Sequence, residues 1–262
     1  MRRRFGQGLR LGVARGGIAL VKTSRWGRAP ELIAAQDLAP GAIDSASGVQ
    51  EALAALLDGA HAGWPLTIVL ADDLARLWQV VPPRESSRLG DLEAAAAMRF
   101  QTLYGEPAAA WVISAGWDAV RPFLAAALPR ALLAALEQGA AVRQMPLLEI
   151  VPQFVAVLNR CGGALKPDTW FGVVHDRVLT LGAGPEIAAV RAVAVPDGAS
   201  ADWLSEHLVR EALRLNLPAP DRLQLWGEVP EPWIGFGCTR LGAAGQAGWP
   251  PAALLAASGS AA

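Results

Sequence analysis

A repeated pattern of apolar residues constrains the fold of this chain more than any other feature. The run Leu11-Gly12-Val13 is followed, after four residues, by the apolar run Ile18–Val21, and Phe171-Gly172-Val173 is followed at the same distance by Val178–Leu181. Each copy predicts a strand, a tight turn and a second strand, and a third apolar run and a helical pattern follow in both. Two related α/β halves are therefore predicted. The alternative is a chance match between short runs rich in Ala, Val and Leu.

Composition and charge exclude several classes of protein. Apolar residues make up 53% of the 262 residues and charged residues 18%, which is typical of a globular chain. A net charge of −1 gives no overall field to attract nucleic acid or an anionic membrane. Cys161 and Cys238 are too few for a disulfide framework, so the sequence predicts a reducing cytoplasm.

Neither end of the chain is predicted to enter a membrane. The basic start Met1–Arg4 resembles the first part of a signal peptide, but Arg10 and Arg15 interrupt the apolar run that should follow. The uncharged stretch 241–262 contains several Gly and Pro residues, which make a membrane helix unfavourable. We expect this stretch to form a loop, a short helix near Ala252–Ala257 and a frayed end.

The order of elements predicts an insertion within the first half. Leu66–Leu70 is fully apolar and of strand length, as in a central parallel strand. An α+β subdomain is predicted after it at about 75–128, with strands at 76–81, 111–114 and 123–128 and a helix at 88–103. The Gly- and Pro-containing link 161–168 predicts the boundary between the halves. The predicted domains are a first half at 1–161, which carries the insertion, and a shortened second half at 162–262 with an irregular tail.

This arrangement resembles the actin-like ATPase fold and, within it, the PilM, MshI and GspL cytoplasmic-domain group of type IV pilus and type II secretion assembly proteins. The resemblance spans most of residues 9–227 and implies two ribonuclease-H-like halves, each opening with a β-hairpin whose turn faces the phosphates of ATP. It also implies a glycine-rich turn after a late strand that seats the adenosine. The fold class is accordingly predicted as α/β, with duplicated actin-like halves and an inserted α+β subdomain in the first.

The first phosphate turn departs from the family pattern of Asp-x-Gly followed by small hydroxyl residues. Ala14 stands where the resemblance implies the aspartate that holds a magnesium-bound water. Four residues of this stretch remain as candidates for a vestigial anion site, namely Gly12, Arg15, Gly16 and Gly17. The alternative, which we favour, is that the glycines simply allow a hairpin turn.

The other two implied nucleotide positions are also weakened. The second turn, His175-Asp176-Arg177, contains no glycine, and Asp176 is either a substitute magnesium ligand or an ordinary hairpin-turn residue. At the adenosine position, Gly227 is followed by Glu228, whose charge would repel phosphates, and then by prolines. The resemblance therefore favours a scaffold that kept the fold and lost the chemistry.

Other candidate residues have plainer explanations. Asp72 and Asp73 follow a buried-looking strand, where α/β enzymes place catalytic groups, but they are also suited to capping the turn after it. His61, His175 and His207 lie in separate elements and predict no metal site. Of the ten tryptophans, three in strand patterns are predicted to be core, namely Trp78, Trp170 and Trp226. Others lie near element ends or loops, namely Trp111, Trp117, Trp233 and Trp249. Some of these could form a binding surface, but a role in the core or in anchoring a loop is favoured for each.

Two hypotheses of function follow. The first is a non-catalytic cytoplasmic adaptor without a cofactor, held at the inner membrane by a bitopic assembly protein and binding neither nucleic acid nor lipid directly. The second is an ATPase or small-molecule kinase that uses ATP with magnesium at an atypical phosphate site. For the adaptor, the resemblance implies a groove beside the insertion that takes an extended segment of the partner. The residues predicted to contact this segment recur at helical spacing: Arg99, Phe100, Leu103 and Tyr104.

Overall fold

The computed structural model describes residues 6–24, 28–58, 62–84, 86, 88–166, 169–184, 187–235, 237–243 and 245–259. The described residues pack into two compact units. Unit 1 takes its residues from 1–74, 131–163 and 243–262, and unit 2 takes its residues from 75–130 and 164–242. The basic start 1–4, His61, Pro167 and Asp168, all considered above, lie outside the described residues.

The described residues form strands and helices that alternate along the chain. In chain order they are β1 (Gln7–Ala14), β2 (Gly17–Ser24), β3 (Glu31–Asp37), α1 (Ala46–Leu56), β4 (Leu66–Leu70), β5 (Arg76–Val80), α2 (Leu89–Tyr104), β6 (Trp111–Ala115), β7 (Phe123–Pro129), α3 (Arg130–Val142), β8 (Leu147–Pro152), α4 (Gln153–Cys161), β9 (Trp170–His175), β10 (Val178–Ala183), β11 (Ala189–Ala194), α5 (Ala201–Leu215), β12 (Leu223–Gly227), β13 (Cys238–Gly242) and α6 (Pro251–Ala257). None of the helices in these described stretches is both long and apolar enough to cross a membrane.

Each unit contains a five-stranded sheet with the same strand order. The orders are β3-β2-β1-β4-β8 in unit 1 and β11-β10-β9-β12-β13 in unit 2. In each sheet, the first three strands form an antiparallel meander, and the other two run parallel to the first strand. The apolar runs put continuous core residues into the central strands, because parallel strands are buried on both faces. The predicted α/β fold with duplicated ribonuclease-H-like halves is confirmed.

The hairpin registers show that the repeated glycines do not occupy equivalent places. The turn-closing pairs are Ala14 with Gly17 in the first hairpin and His175 with Val178 in the second. Counted back from the end of its strand, Gly12 is two positions before Ala14, whereas Gly172 is three positions before His175. Because side chains alternate across a strand, the two glycines face opposite sides of their sheets. The alignment of the two copies by sequence is therefore one residue out of register.

The inserted elements lie where the sequence predicts them but pack with residues 164–242. Strands β5, β7 and β6 form an antiparallel sheet in that order, and α2 covers one face of it. Strand β5 runs beside β11 of the same unit. The predicted boundaries instead placed the insertion in the first half and the C-terminal tail in the second. Packing thus assigns both segments to the other unit.

The C-terminal helix α6 packs directly on the sheet of unit 1. Five of its residues are at most 5% exposed: Ala252, Ala253, Leu255, Ala256 and Ala257. Arg10 on β1 donates hydrogen bonds to Ala256 O at 2.7 Å and to Ser258 O at 2.6 Å, which satisfies carbonyls at the helix end. Burial lowers the pKa of Arg10 from its ordinary value. The predicted helix near Ala252–Ala257 is confirmed, but it belongs to the unit built around the first hairpin.

Candidate functional site

The turn of the first hairpin is closed by charged side chains of unit 1 itself. Arg15 donates from Nε to Asp73 Oδ2 at 2.8 Å and from Nη1 to Asp44 Oδ1 at 3.0 Å. Burial alone would lower the pKa of Arg15, but the hydrogen bonds and charges of the two aspartates outweigh it and raise the pKa. The carbonyl of Gly16 accepts a hydrogen bond from the amide of Leu38 at 3.0 Å. The predicted anion ligand Arg15 therefore binds two carboxylates of its own chain.

The glycines of this hairpin serve packing and pairing. A Cβ on Gly12 would lie 1.9 Å from Ala252 O, so Gly12 allows the backbone of α6 to touch β1. A Cβ on Gly17 would lie 3.0 Å from Gln36 O in the neighbouring strand β3. Gly16 has open space around it and no left-handed φ. Gly12 is thus a buried packing residue, which differs from its predicted place in an anion site.

The position of the missing aspartate is apolar. Ala14 is buried with Val69, Ala71, Val151 and Leu255. A carboxylate at this place would lose water without gaining a partner, which is strongly unfavourable. Leu255 comes from α6, so part of the apolar surroundings of Ala14 is supplied by the C-terminal helix. The sequence did not predict this contact.

The acidic pair after β4 is divided between two structural roles. Asp72 is 8% exposed, and its Oδ1 accepts a hydrogen bond from the amide of Phe154 at 2.9 Å, in the first turn of α4. A carboxylate there satisfies an otherwise unpaired amide and complements the helix dipole. Asp73 instead binds Arg15. The sequence predicted caps of the local turn, whereas both carboxylates make contacts with residues far away in the chain.

In unit 2, the second hairpin turn carries an acidic neighbour. Asp176 and Arg177 have φ values of 43° and 61°, as a two-residue turn between twisted strands requires. The amide of Asp176 donates to Glu228 Oε2 at 3.4 Å, and the same oxygen lies 4.0 Å from His175 Nδ1. A carboxylate therefore lies where the resemblance implies a phosphate. Asp176 is an exposed turn residue, in agreement with the plainer of its two interpretations.

Gly227 is required by the sheet of unit 2. Its φ is 103°, and a Cβ there would lie 2.1 Å from Val174 O, so only glycine fits. The amide of the next residue, Glu228, donates to Val174 O at 3.1 Å and continues the pairing with β9. This glycine therefore ends a strand and directs Glu228 toward the second hairpin turn.

A buried tryptophan fills the segment that follows. Trp233 lies in a short 3-10 helix and is 0% exposed. Its Nε1 donates to Ala199 O at 3.0 Å and to Ser200 O at 3.1 Å, beside the start of α5. Its ring stacks on Trp203 at 5.7 Å, and Trp203 stacks in turn on His207 at 5.5 Å. Trp233 is thus a core residue of unit 2, which agrees with the core role favoured for the loop tryptophans over a binding surface.

The remaining tryptophan predictions have mixed outcomes. The three predicted core residues are at most 4% exposed: Trp78, Trp170 and Trp226. Trp111 and Trp117 are half-buried and pack against the core between α2 and its sheet. Trp249 packs beside α6. The sequence was enough to find these three core residues, because each lies in a pattern typical of a strand.

The predicted partner surface on α2 is only partly available. Phe100 is 0% exposed and contacts Trp78 and Trp111, so it belongs to the core of the subdomain. Burial raises the pKa of Tyr104, which remains protonated and donates to Leu77 O at 2.9 Å. Arg99 is exposed, and Leu103 is 42% exposed. The prediction of Phe100 as a partner contact is corrected, because its ring faces the sheet.

These contacts do not suit a magnesium nucleotide. A phosphate cradle presents free amides and positive charge, whereas Glu228 brings a carboxylate to the second turn and Arg15 is neutralised by two aspartates. Among the described residues, no group of three or more His, Cys, Asp or Glu side chains is arranged to hold a metal ion.

Solved structures of other proteins share this architecture. No protein-family model and no curated protein sequence matches the chain. Among solved structures, the cytoplasmic domain of EpsL, an inner membrane component of the type II secretion system of Vibrio cholerae, superposes with a TM-score of 0.56 and 14% identity, over 86% of this chain and 84% of that one. A Bacteroides thetaiotaomicron protein is described as having an actin-like ATPase fold and unknown function. It superposes with a TM-score of 0.57 and 8% identity, over 86% of this chain and 84% of that one. This chain has the actin-like ATPase fold.

A third solved structure has the same fold. A chain of the PilM-PilN type IV pilus biogenesis complex superposes with a TM-score of 0.57 and 16% identity, over 89% of this chain and 88% of that one. The resemblance drawn from the sequence, to the actin-like group that includes PilM and GspL, is confirmed at the level of the fold. Within this actin-like fold, the hairpin turns and the Gly227 segment are the positions where the resemblance implied a nucleotide.

Proposed function

We propose that this chain is a non-catalytic adaptor of a type IV pilus-like or type II secretion-like assembly. In this role it acts on the cytoplasmic side of the inner membrane and is held there by a membrane-anchored partner. The actin-like fold shared with the EpsL cytoplasmic domain and with a chain of the PilM-PilN complex supports the setting. Fold alone does not specify activity, so the absence of catalysis is inferred from the residues of the two hairpin turns.

The observation that carries the proposal is that both hairpin turns are closed by the chain's own charged side chains. Arg15 is an internal cation between Asp44 and Asp73 in unit 1, and Glu228 is an internal anion at the amide of Asp176 in unit 2. A bound phosphate would have to displace the Glu228 carboxylate or lie against it, and like charges at short range repel. Under the proposal, the turns are structural and no nucleotide is needed for function.

Titration with nucleotide tests the non-catalytic part. The chain is heated with millimolar Mg-ATP, with magnesium alone and with Mg-ADP, and we expect the same unfolding temperature in all three. A ligand that binds the native state stabilises it in proportion to the logarithm of its concentration over Kd, so even weak binding would be visible. Saturable stabilisation by Mg-ATP over the magnesium control would favour the ATPase or kinase alternative and contradict this part of the proposal.

Fractionation of cells tests the adaptor part. Tagged protein is expected in the inner-membrane fraction when the partner gene is present and in the supernatant when it is deleted. Arg99 is exposed on α2, and reversing its charge by Arg99→Glu should release the protein if this face meets an acidic part of the partner. Arg88→Glu is the matched control, because Arg88 is also exposed but lies outside the predicted surface, at the start of the same helix.

Three outcomes separate the parts of this proposal. Release by Arg99→Glu with retention of Arg88→Glu would support the α2 surface. Equal release by both variants would place the contact elsewhere on the insertion. Unchanged fractionation after deletion of each neighbouring membrane-protein gene would remove the adaptor role, whatever the nucleotide experiment gives.

A further inference from the structure

Strand β6 is a free edge of the small sheet in unit 2. Within the described chain it pairs only with β7. The amide of Gly116 donates to Leu124 O at 3.1 Å, which makes these two residues a hydrogen-bonded pair. Hydrogen-bonded pairs alternate along an antiparallel ladder, so Ser114 and Val112 also bond β7. The N–H and C=O groups of the residues between them therefore point away from the sheet: Trp111, Ile113 and Ala115.

This edge lacks the charge that protects the other edges. Every other edge strand of the described sheets carries at least one charged side chain: Glu31 and Asp37 in β3, Arg76 in β5, Glu149 in β8, Arg191 in β11 and Arg240 in β13. Strand β6 has none, and the run 108–117 around it contains neither a charged residue nor a proline. Uncharged edges of this kind are templates for pairing with another strand.

We propose that β6 pairs antiparallel with β6 of a second copy of this chain, so that two small sheets join across a twofold axis at Ile113. In this register Trp111 faces Ala115 of the other copy, Ile113 faces its own equivalent, and Val112 faces Ser114. The large indole meets a small methyl at both ends, and no charged side chain meets another. The three facing pairs with outward groups form about six backbone hydrogen bonds, two per pair.

One side chain of the same unit already contacts the first residue of this edge strand. Arg130 donates from Nη2 to Trp111 O and from Nε to Ala109 O, both at 3.2 Å, and covers the start of the edge. A carbonyl oxygen has two lone pairs, so Trp111 O can accept from Arg130 and from an amide of the second copy together. The outward groups of Ile113 and Ala115 lie beyond this contact. The dimer therefore forms without breaking a hydrogen bond of the monomer.

The self-pairing does not depend on the adaptor role and is tested by the mass of the protein in solution. We expect wild-type chain to show a concentration-dependent dimer by sedimentation across micromolar concentrations. Ala115→Pro removes the outward amide without taking a bond from β7, since proline is tolerated on an edge strand. It should weaken the dimer about twenty-five-fold, because each of the two lost backbone hydrogen bonds changes the dimerisation constant about fivefold. Ala115→Ser keeps both the amide and a small side chain and should dimerise like wild type.

A cross-link tests the register. Val112 and Ser114 of different copies form a pair without hydrogen bonds, whose Cα atoms lie at about 4.5 Å, within reach of a disulfide. The double variant Val112→Cys with Ser114→Cys should form a disulfide-linked dimer on mild oxidation, and adding Ala115→Pro should slow its formation. A monomeric wild type, an Ala115→Pro dimer as tight as wild type, or no cross-link in the double variant would each overturn the proposal.

Discussion

Replacing Gly12 by alanine should weaken the packing of the C-terminal helix on the sheet of unit 1. The new methyl group would lie 1.9 Å from Ala252 O and 2.8 Å from Ala256 N, which are backbone atoms of α6. A flexible side chain could rotate away from such a contact, but a helix backbone can move only as a body. The substitution should therefore displace α6 as a whole from β1 and disturb the apolar cluster between the helix and the sheet.

The size of the effect follows from what α6 buries. Leu255 is 0% exposed, and full burial of a leucine side chain stabilises by about 1.5–3 kcal/mol. Small-to-large substitutions in well-packed cores cost about 1–3 kcal/mol even when side chains can adjust. We therefore expect Gly12→Ala to lower the free energy of opening of α6 by about 3 kcal/mol, or about a hundredfold in the opening constant.

Hydrogen exchange of the amides in α6 measures this opening without assuming that the two units unfold together. The control is Gly16→Ala in the neighbouring turn, where a Cβ meets nothing within 4 Å and φ is not left-handed. Gly16→Ala should change exchange by only a small factor, since such surface substitutions stay within about 0.5 kcal/mol. Exchange in Gly12→Ala within a few-fold of wild type would refute the close packing of α6 on β1.

Two further predictions concern unit 2. Trp233→Ala should lower the free energy of unfolding by denaturant by about 3–5 kcal/mol, because it removes a buried ring. Trp233→Phe keeps much of the apolar volume and should lower this free energy less. Equal unfolding midpoints for the wild type and both variants would contradict the core role of Trp233. Burial lowers the pKa of His207 below 6.5. The unfolded chain then takes up the proton first, so stability should fall as the pH drops below 6.5 and level off below the folded pKa. His207→Phe should reduce this dependence of stability on pH, and an unchanged dependence would show that other groups cause it.

Local patterns in the sequence were enough to find most of the strands and helices. The apolar runs of β1, β2, β9 and β10 and the helical spacing of α2 report on burial of one face or both, which depends on neighbours close in the chain. The repeat of these runs then predicted two related halves, and their order gave the resemblance to the actin-like fold, which the structure confirms. The departures from the family's nucleotide motifs were also visible, because Ala14 and Glu228 are identities that can be read directly.

Only the tertiary structure decided which residues meet. Runs of Ala, Val and Leu look alike when shifted by one residue, so the sequence could not show that Gly12 faces α6 while Gly172 faces the other side of its sheet. Asp72 caps a helix that begins at Gln153, and no local pattern links residues so far apart. Trp233 follows prolines in a loop pattern, yet it is buried because a distant helix start supplies two carbonyl acceptors for its indole. Burial of this kind depends on surfaces that distant segments provide, and those surfaces exist only once the chain has folded.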